Sequence, residues 1–252
     1  MKMKSLPIAY QQAIYGSQGS LESIRTLRVT GVVPDMTAVI LAGGKSSRMK
    51  RNKALLPCNG EFFIERIHRL LAPLFSEVIV VTNTPELYPF LPCGMVSDEY
   101  PGLGSLAGIH AGLKQSGTGR IFAVACDMPY LNADLIRLMA SRAVDCDIVI
   151  PESGGGLEPL HTIYGKGCIP AMEKALSSGS VRIVDCFDWS RVAVVSKEQV
   201  AAFDPEFLSF ENINTPEDYF RFRSGKDGQT RRIPSCEKTS GRFPVTGRSA
   251  GK

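Results

Sequence analysis

The sequence predicts an α/β protein in three layers, with a mostly parallel central sheet covered by helices on both faces. Short, mostly apolar and β-branched runs at 37–42, 77–82 and 120–126 predict strands that are buried on both faces. Segments with apolar residues at helical spacing lie between these runs, and this alternation is typical of strand–helix–strand units. A composition of 44% hydrophobic and 21% charged residues is sufficient for the core of such a domain.

The predicted elements alternate along the chain. We predict strands at 37–42, 77–82, 120–126, 147–150, 160–164 and 192–195, and helices at 61–74, 106–113, 133–143, 169–177 and from residue 215 onward. Phe63, Ile67 and Leu71 recur at helical spacing in the first helix. Asn132 and Thr215 are suitable N-caps, since a side-chain oxygen there can accept from free amides of the first turn.

The two ends of the chain differ from its middle. Residues 36–223 form the predicted domain, and Met36 directly precedes the first strand, so 1–35 is predicted to be an extension that need not be native. The tail at 224–252 is rich in glycine, serine and cations and poor in large apolar residues, which predicts disorder. The net charge of +4 comes from the ends and leaves 36–223 net acidic, which disfavours a basic nucleic-acid-binding domain.

Cysteine usage and hydropathy indicate the compartment. The seven cysteines include no C-x-x-C pair, which favours a reduced, cytoplasmic protein over a zinc ribbon or redox pair. No apolar run approaches the length of a membrane-spanning helix, so we expect no membrane association.

The loop after the first strand combines two glycines with five cations. Ligands of parallel sheets bind beyond the carboxyl ends of the strands, so the loops after residues 42, 82 and 126 should converge. Gly44-Lys45-Ser46 is not the end of an ATP-binding P-loop, because the required earlier glycine position is Val39. The loop is either a cationic surface turn or a phosphate cradle. Its place favours the cradle, with glycine amides and the cations Lys45, Arg48 and Lys53 as donors.

Two aspartates are the candidate carboxylates of the site. Asp127 directly follows the run at 120–126. It is either a turn residue or a ligand of Mg²⁺, which typically takes one or two carboxylates together with substrate phosphates. Asp98 precedes a glycine-rich segment at 102–108, where a base or ribose could lie against the backbone. The two carboxylates together favour a nucleotide-binding site more strongly than either carboxylate alone.

Other polar residues have competing interpretations. His161 lies on an apolar strand and is predicted to be structural. Cys126 has no histidine at a recognisable spacing, which disfavours a Cys–His hydrolase. Asn212 and Asn214 alternate in an extended segment before the last helix, and either could present an amide to a substrate.

These motifs, in this order, resemble the molybdenum cofactor guanylyltransferases, a family of molybdopterin nucleotidyltransferases. The resemblance covers most of 37–222. It rests on "ILAGGKSSRM" with the lysine of "NKALL", on "PGLGSLAGIHAGL", "CDMPYL", "EPLHTIY" and "SGSVRIVDCF", and on "NINTPED". This chain has Lys50 where the family usually has glycine and Asn52 where it often has aspartate. The implied fold is the Rossmann-like nucleotidyltransferase fold.

The resemblance also implies roles for individual residues. Arg48, Lys53 and Asp127 would be catalytic, with Asp127 holding Mg²⁺, and Arg182 and Asn214 would face the molybdopterin. The residues implied to bind GTP are Leu41, Ala42, Gly43, Gly44, Lys53, Asn83, Asp98 and Asp127.

The implied reaction transfers GMP from GTP to the phosphate of molybdenum-molybdopterin and releases pyrophosphate. Molybdenum-cofactor insertion proteins or acceptor oxidoreductases would be the protein partners, with neither nucleic acid nor membrane involved. Two alternatives stay open. One is a cytidylyl- or other nucleotidyltransferase of the same fold, and the other is a non-catalytic nucleotide-binding carrier module.

Overall fold

The computed structural model describes residues 31–43 and 52–224. Its strands are β1 (Val33–Leu41), β2 (Pro57–Cys58), β3 (Glu61–Phe62), β4 (Phe75–Val81), β5 (Gly94–Val96), β6 (Arg120–Ala125), β7 (Ile148–Ser153), β8 (Gly156–Leu157), β9 (His161–Gly165) and β10 (Val192–Val195). Its α-helices are α1 (Phe63–Leu71), α2 (Gly104–Gln115), α3 (Ala133–Ser141), α4 (Ile169–Ser177), α5 (Lys197–Ala201) and α6 (Pro216–Ser224). Short 3₁₀-helices span Lys53–Leu55, Pro85–Leu87, Lys166–Cys168, Ile183–Cys186, Trp189–Arg191 and Leu208–Phe210.

In the described residues, the main sheet has eight strands in the order β10-β7-β9-β6-β1-β4-β5, with β8 paired to β7. Strand β1 lies in parallel between β4 and β6, as the buried apolar runs predict. Strand β9 runs antiparallel to both of its neighbours, β6 and β7. The predicted three-layer, mostly parallel architecture is therefore confirmed.

Each face of the sheet has its own core. Ala38 and Ile40 of β1 pack with helices α1, α3 and α5 on one face, and Val39 and Leu41 pack with α2 and α4 on the other. Helix α2 lies very close to the sheet at Gly112, where an added Cβ would lie 2.6 Å from Val39 Cγ1. Larger side chains are excluded there, so the glycine sets the distance between helix and sheet.

Helix α1 differs from the prediction at both of its ends. Helix α1 begins at Phe63 because Glu61 and Phe62 pair with β2 in a hairpin whose turn, Asn59-Gly60, has positive φ at both residues. Asn-Gly is the preferred sequence for such a turn, so the hairpin had a local signal. The helix ends at Leu71, two residues before Pro73, and Ala72 between them still has helical backbone.

Strand β1 begins before the predicted domain boundary at residue 36. Val33 is 4% exposed and pairs with Phe75 of β4. The described fold thus includes three residues of the predicted extension. That residues 1–35 need not be native stays a prediction. Of the predicted tail at 224–252, Ser224 is the last residue of α6, and residues 225–252 lie outside the described residues.

In the two described ranges, we find no helix with both the length and the apolar character needed to cross a bilayer.

Candidate active site

Lys53 and Asp127 meet at the carboxyl edge of the sheet, although 74 positions separate them in the sequence. Lys53 Nζ donates to Asp127 Oδ2 at 2.8 Å, and the side chains are only 17% and 13% exposed. Lys53 Nζ also donates to Asn214 Oδ1. The structure therefore brings three of the predicted site residues into one cluster, which we call the charged cluster.

The backbone around Asp127 is held by bonds from two directions. Strand β6 ends at Ala125, and the next amide, that of Cys126, donates to the carbonyl of Leu41 at 3.1 Å. The Asp127 carbonyl accepts from the amide of Ile213 at 3.0 Å. Asp127 is thus fixed both to the end of β1 and to the segment that carries Asn214.

A short 3₁₀-helix positions Lys53. Asn52 caps it, because its Oδ1 accepts from the amide of Ala54 at 3.0 Å. The nitrogen of the Asn52 side chain, Nδ2, donates to the hydroxyl of Tyr88 at 2.8 Å, and Tyr88 is fully buried. Sequence reasoning assigned no role to Asn52 or Tyr88. An asparagine before a short helical turn was the available signal for the cap, whereas the contact with Tyr88 had none.

Asn214 is positioned by its neighbours on both sides. Ile213 is buried in a small cluster with Leu56, Cys58 and Phe63. On the other side, Asp218 Oδ2 accepts from the amide of Thr215 at 2.9 Å, while the Thr215 hydroxyl accepts from the amide of Asp218 at 3.1 Å. This reciprocal capping confirms the predicted start of the last helix.

Asn212, the other candidate amide, does not join the charged cluster through its described bond. Its Nδ2 donates to the carbonyl of Phe210 at 3.1 Å. In a regular extended segment residues 212 and 214 would project to the same side, so the difference comes from the local bond of Asn212 to Phe210 and not from alternation.

Asn83 and Asp98 connect the ends of β4 and β5. Asn83 Nδ2 donates to Asp98 Oδ2 at 2.8 Å, and Asn83 Oδ1 accepts from the amide of Asp98 at 3.2 Å. The second carboxylate oxygen, Oδ1, is buried and has no hydrogen-bond partner among the described residues. A buried acceptor of this kind normally has a partner, so the Asp98 carboxylate has hydrogen-bonding capacity that the described residues do not use.

The predicted nucleotide loop is described only at its start. Leu41 and Ala42 are 7% and 8% exposed, and the amide of Ala42 donates to the carbonyl of Val81 at 2.9 Å. Gly43 is exposed, and no described atom lies within 4 Å of the Cβ position that it lacks. Gly44 and Arg48 lie outside the described residues, so their predicted roles stay predictions.

Arg182 is exposed at the start of the 3₁₀-helix Ile183–Cys186. Its Nη1 lies 3.8 Å from Asp185 Oδ1. None of the contacts described for Arg182 reaches Lys53, Asp127 or Asn214. Its predicted role toward the molybdopterin therefore stays a prediction.

Burial makes the nearby histidine and cysteine poor catalysts. His161 is fully buried, with ring centroids 4.9 Å from Phe122 and 5.1 Å from Phe210, and burial lowers its pKa to about 3. Burial raises the pKa of the Cys126 thiol to about 12, so the thiolate is scarce at neutral pH. These features agree with a structural His161 and disfavour a Cys–His mechanism.

Asp127 is the carboxylate that the charged cluster offers to a divalent metal. In the described part of the chain, no three histidine, cysteine, aspartate or glutamate side chains gather as a protein-built metal site. Asp127 supplies one carboxylate, and the Asn214 side-chain oxygen accepts from the same ammonium group, that of Lys53. One carboxylate suits Mg²⁺ bound mainly through substrate phosphates and water.

Known proteins share this sequence and fold. The model of the MobA-like NTP transferase domain matches residues 38–192. A probable molybdenum cofactor guanylyltransferase of Carboxydothermus hydrogenoformans is 40% identical over 189 residues, which are 73% of this chain and 93% of that protein. The molybdenum cofactor guanylyltransferase of Syntrophotalea carbinolica is 38% identical over 205 residues, covering 79% and 96%.

A solved structure agrees with these relatives. The molybdopterin-guanine dinucleotide biosynthesis protein A of Archaeoglobus fulgidus superposes with a TM-score of 0.67 at 27% identity, covering 76% of this chain and 99% of that one. The described fold thus corresponds to nearly the whole of that protein. The chain belongs to the MobA-like NTP transferase family and, within it, to the molybdenum cofactor guanylyltransferases.

Proposed function

We propose that the protein transfers GMP from GTP to the terminal phosphate of molybdenum-molybdopterin and releases pyrophosphate. The observation that carries this proposal is the charged cluster of Lys53, Asp127 and Asn214 at the carboxyl edge of the sheet. Relatives that align with this chain over more than nine-tenths of their own length bear the name of this activity, which supports the choice of substrates.

GTP binds at two places, its phosphates at Lys53 and Gly43 and its guanosine at Asp98. The Lys53 ammonium binds the phosphates of GTP, and the backbone at Gly43 lies against them because no side chain intervenes. Asp98, held by Asn83, accepts hydrogen bonds from the guanosine through its unpartnered Oδ1. Guanine offers N–H donors on its pairing edge, which a carboxylate can accept.

The chemical step needs positioning more than acid–base catalysis. A phosphate oxygen of the acceptor attacks the α-phosphorus of GTP, and the bond from that phosphorus to the bridging oxygen of the β-phosphate breaks. Pyrophosphate leaves with the electron pair of this bond. Because the attacking oxygen is already anionic, the obstacle is the repulsion between two anions and the charge that develops on the leaving group. Lys53 opposes both effects with a mostly desolvated positive charge.

Asp127 is the proposed ligand of Mg²⁺, which supplies further positive charge at the phosphates when bound. Lys53 neutralises the same carboxylate in the structure, and Asn214 Oδ1 shares that lysine. Lys53 has to exchange its contact with Asp127 for contacts with phosphate as the nucleotide binds. Asn214 keeps a hydrogen-bond acceptor beside the lysine during this exchange.

On the acceptor side, Asn214 and Arg182 are the proposed contacts with molybdopterin. Arg182 is 74% exposed and has only a long ion pair with Asp185 among its described contacts, so its guanidinium can turn toward an anion. Asn214 links the two sides, because it contacts the lysine that binds the nucleotide.

Release of pyrophosphate tests the proposal directly. The protein is incubated with Mg²⁺, molybdenum-molybdopterin and GTP, CTP or ATP, and pyrophosphate is measured. We expect release with GTP that depends on both the acceptor and the metal. Preferential release with CTP would assign the protein to a cytidylyl activity, and GTP binding without any release would assign it to a carrier role; either result contradicts the proposal.

A further inference from the structure

Arg66 is a buried cation in a helix that the proposed mechanism does not use. It lies in the middle of α1, between the fully buried Phe63 and Ile67, and is itself 9% exposed. Burying a guanidinium is costly unless it is paired and hydrogen-bonded. The hydrogen-bond and ion-pair partners of Arg66 therefore indicate its role.

The principal partner of Arg66 belongs to the loop that carries Asp127. Arg66 Nε donates to the carbonyl of Pro129 at 3.0 Å, in a fully buried hydrogen bond between residues 63 positions apart. A second contact is weaker, since Arg66 Nη1 lies 3.8 Å from Glu61 Oε1. Pro129 follows Asp127 by two positions in a segment without regular secondary structure. Its carbonyl has no strand or helix partner, and Arg66 supplies one.

The backbone is consequently held by hydrogen bonds both before and after Asp127. On the β1 side, the amide of Cys126 is bonded to Leu41. On the other side, Arg66 holds the carbonyl of Pro129. Between them, the Asp127 carbonyl accepts from Ile213. Without the Arg66 bond, the loop on this side of Asp127 loses the anchor of its Pro129 carbonyl.

We propose that Arg66 is a positioning residue, which aligns the Asp127 carboxylate by holding the Pro129 carbonyl with its Nε–H. The reaction affected is the one proposed above, so the inference rests on that function. A small displacement of a group at the reacting phosphates reduces turnover strongly even when binding survives. The hydrogen bond, and not the charge of Arg66, is the feature that matters.

Four variants separate the hydrogen bond from the charge. Arg66→Gln places an amide nitrogen the same number of bonds from Cα as Nε, so it keeps the donor and loses the charge. Arg66→Lys keeps the charge but has a carbon at that position, and Arg66→Met has neither donor nor charge. Arg69→Met is the matched control, because Arg69 lies on the same helix and pairs with the same Glu61 at 2.7 Å but is 58% exposed.

Two readouts are measured on each variant, together with thermal unfolding. The first is kcat and KM for GTP in the pyrophosphate assay. The second is the gain in equilibrium GTP affinity on replacing EDTA by Mg²⁺, measured by calorimetry without any acceptor. We expect Arg66→Met and Arg66→Lys to lower kcat by about 10- to 100-fold, and the KM for GTP measured with Mg²⁺ to rise with the affinity that is lost. They should also lose most of the Mg²⁺-dependent gain, whereas Arg66→Gln and Arg69→Met keep both.

Equal losses in Arg66→Gln and Arg66→Met, or an Arg66→Met variant that behaves like Arg69→Met, would overturn the proposal. If Arg66→Met does not fold, the comparison of Gln with Lys decides: activity retained by Lys and lost by Gln would show that charge is what matters. A wild-type protein without acceptor-dependent pyrophosphate release would refute the proposed function. The Mg²⁺-dependent binding of GTP by the variants would still decide the role of Arg66.

Discussion

Asp127 and Asp98 both follow strands at the same edge of the sheet, yet their surroundings are different. Asp127 is 13% exposed and pairs with a lysine, and its backbone is bonded to segments distant in the sequence. Asp98 pairs with the neutral amide of an exposed asparagine and retains one carboxylate oxygen without a partner. The difference indicates a division of labour. In the proposed reaction, Asp127 takes part in the charge balance and Asp98 provides an acceptor for the nucleoside.

The largest effect is expected at Asp127. Asp127→Asn keeps the shape and a hydrogen-bond acceptor for Lys53 but removes the negative charge, so kcat should fall by about 10²- to 10³-fold. Steady-state kinetics and thermal unfolding measure the two consequences separately. Asp134→Asn is the control, since Asp134 is an exposed residue of α3 that pairs with Arg137. Near wild-type turnover in Asp127→Asn would remove Asp127 from the reaction.

Lys53→Met should have two effects of opposite sign. GTP affinity should fall by about 10- to 100-fold because a charged contact with phosphate is lost. Affinity for Mn²⁺ without nucleotide should rise, because the Asp127 carboxylate then has no competing cation. Calorimetry measures the first effect and electron paramagnetic resonance of free Mn²⁺ the second.

Lys114→Met provides the matched control for this experiment. Lys114 also pairs with a carboxylate at 2.8 Å, that of Glu99, but both side chains are exposed. Neither affinity should change in this variant. Unchanged Mn²⁺ binding in Lys53→Met would show that the lysine and the metal do not share the carboxylate.

A smaller and more selective effect is expected at Asp98. Asp98→Asn should reduce the preference for GTP over CTP by about tenfold, because one charged hydrogen bond to the nucleoside is lost. The kcat with saturating GTP should change little, in contrast to Asp127→Asn. Competition between GTP and CTP in the pyrophosphate assay measures the preference, with the adjacent Glu99→Gln as control. A large loss of kcat without a change in preference would contradict the division of labour.

The smallest effect on turnover is expected at His161, which should instead affect stability at low pH. Burial lowers its pKa from 6.5 to about 3, so the unfolded chain binds a proton that the folded chain does not. Stability from this residue is therefore present above pH 6.5 and is lost as the pH falls toward 3, by at most about 1.4 kcal/mol per pH unit.

His161→Phe should flatten this dependence while keeping an aromatic ring between Phe122 and Phe210. Urea unfolding between pH 4 and 8 measures this pH dependence. His68→Gln, a change at a partly exposed histidine, serves for comparison. Wild-type activity at neutral pH is expected in both variants. A shifted pH–activity profile in His161→Phe would place His161 in the catalytic machinery.

Local patterns predicted the fold well because they depend on neighbouring residues. Buried apolar runs predicted the parallel core strands, and the caps at Asn132 and Thr215 were found where the sequence placed them. The short β5 and α5 were missed, since three and five residues are too few to establish a period. The hairpin at Asn59-Gly60 was missed although its signal is local.

The sequence by itself determined that Lys53 and Asp127 lie in loops that follow buried strands, and hence belong to one edge of the sheet, whereas Asp98 follows β5, which the sequence did not predict. Only the tertiary structure decided their partners. Lys53 meets Asp127 across 74 positions and Asn214 across 161, and Arg66 reaches Pro129 across 63. Periodicity and capping reflect interactions a few residues apart. Contacts across such separations depend on how the sheet and its helices pack, which no local pattern encodes.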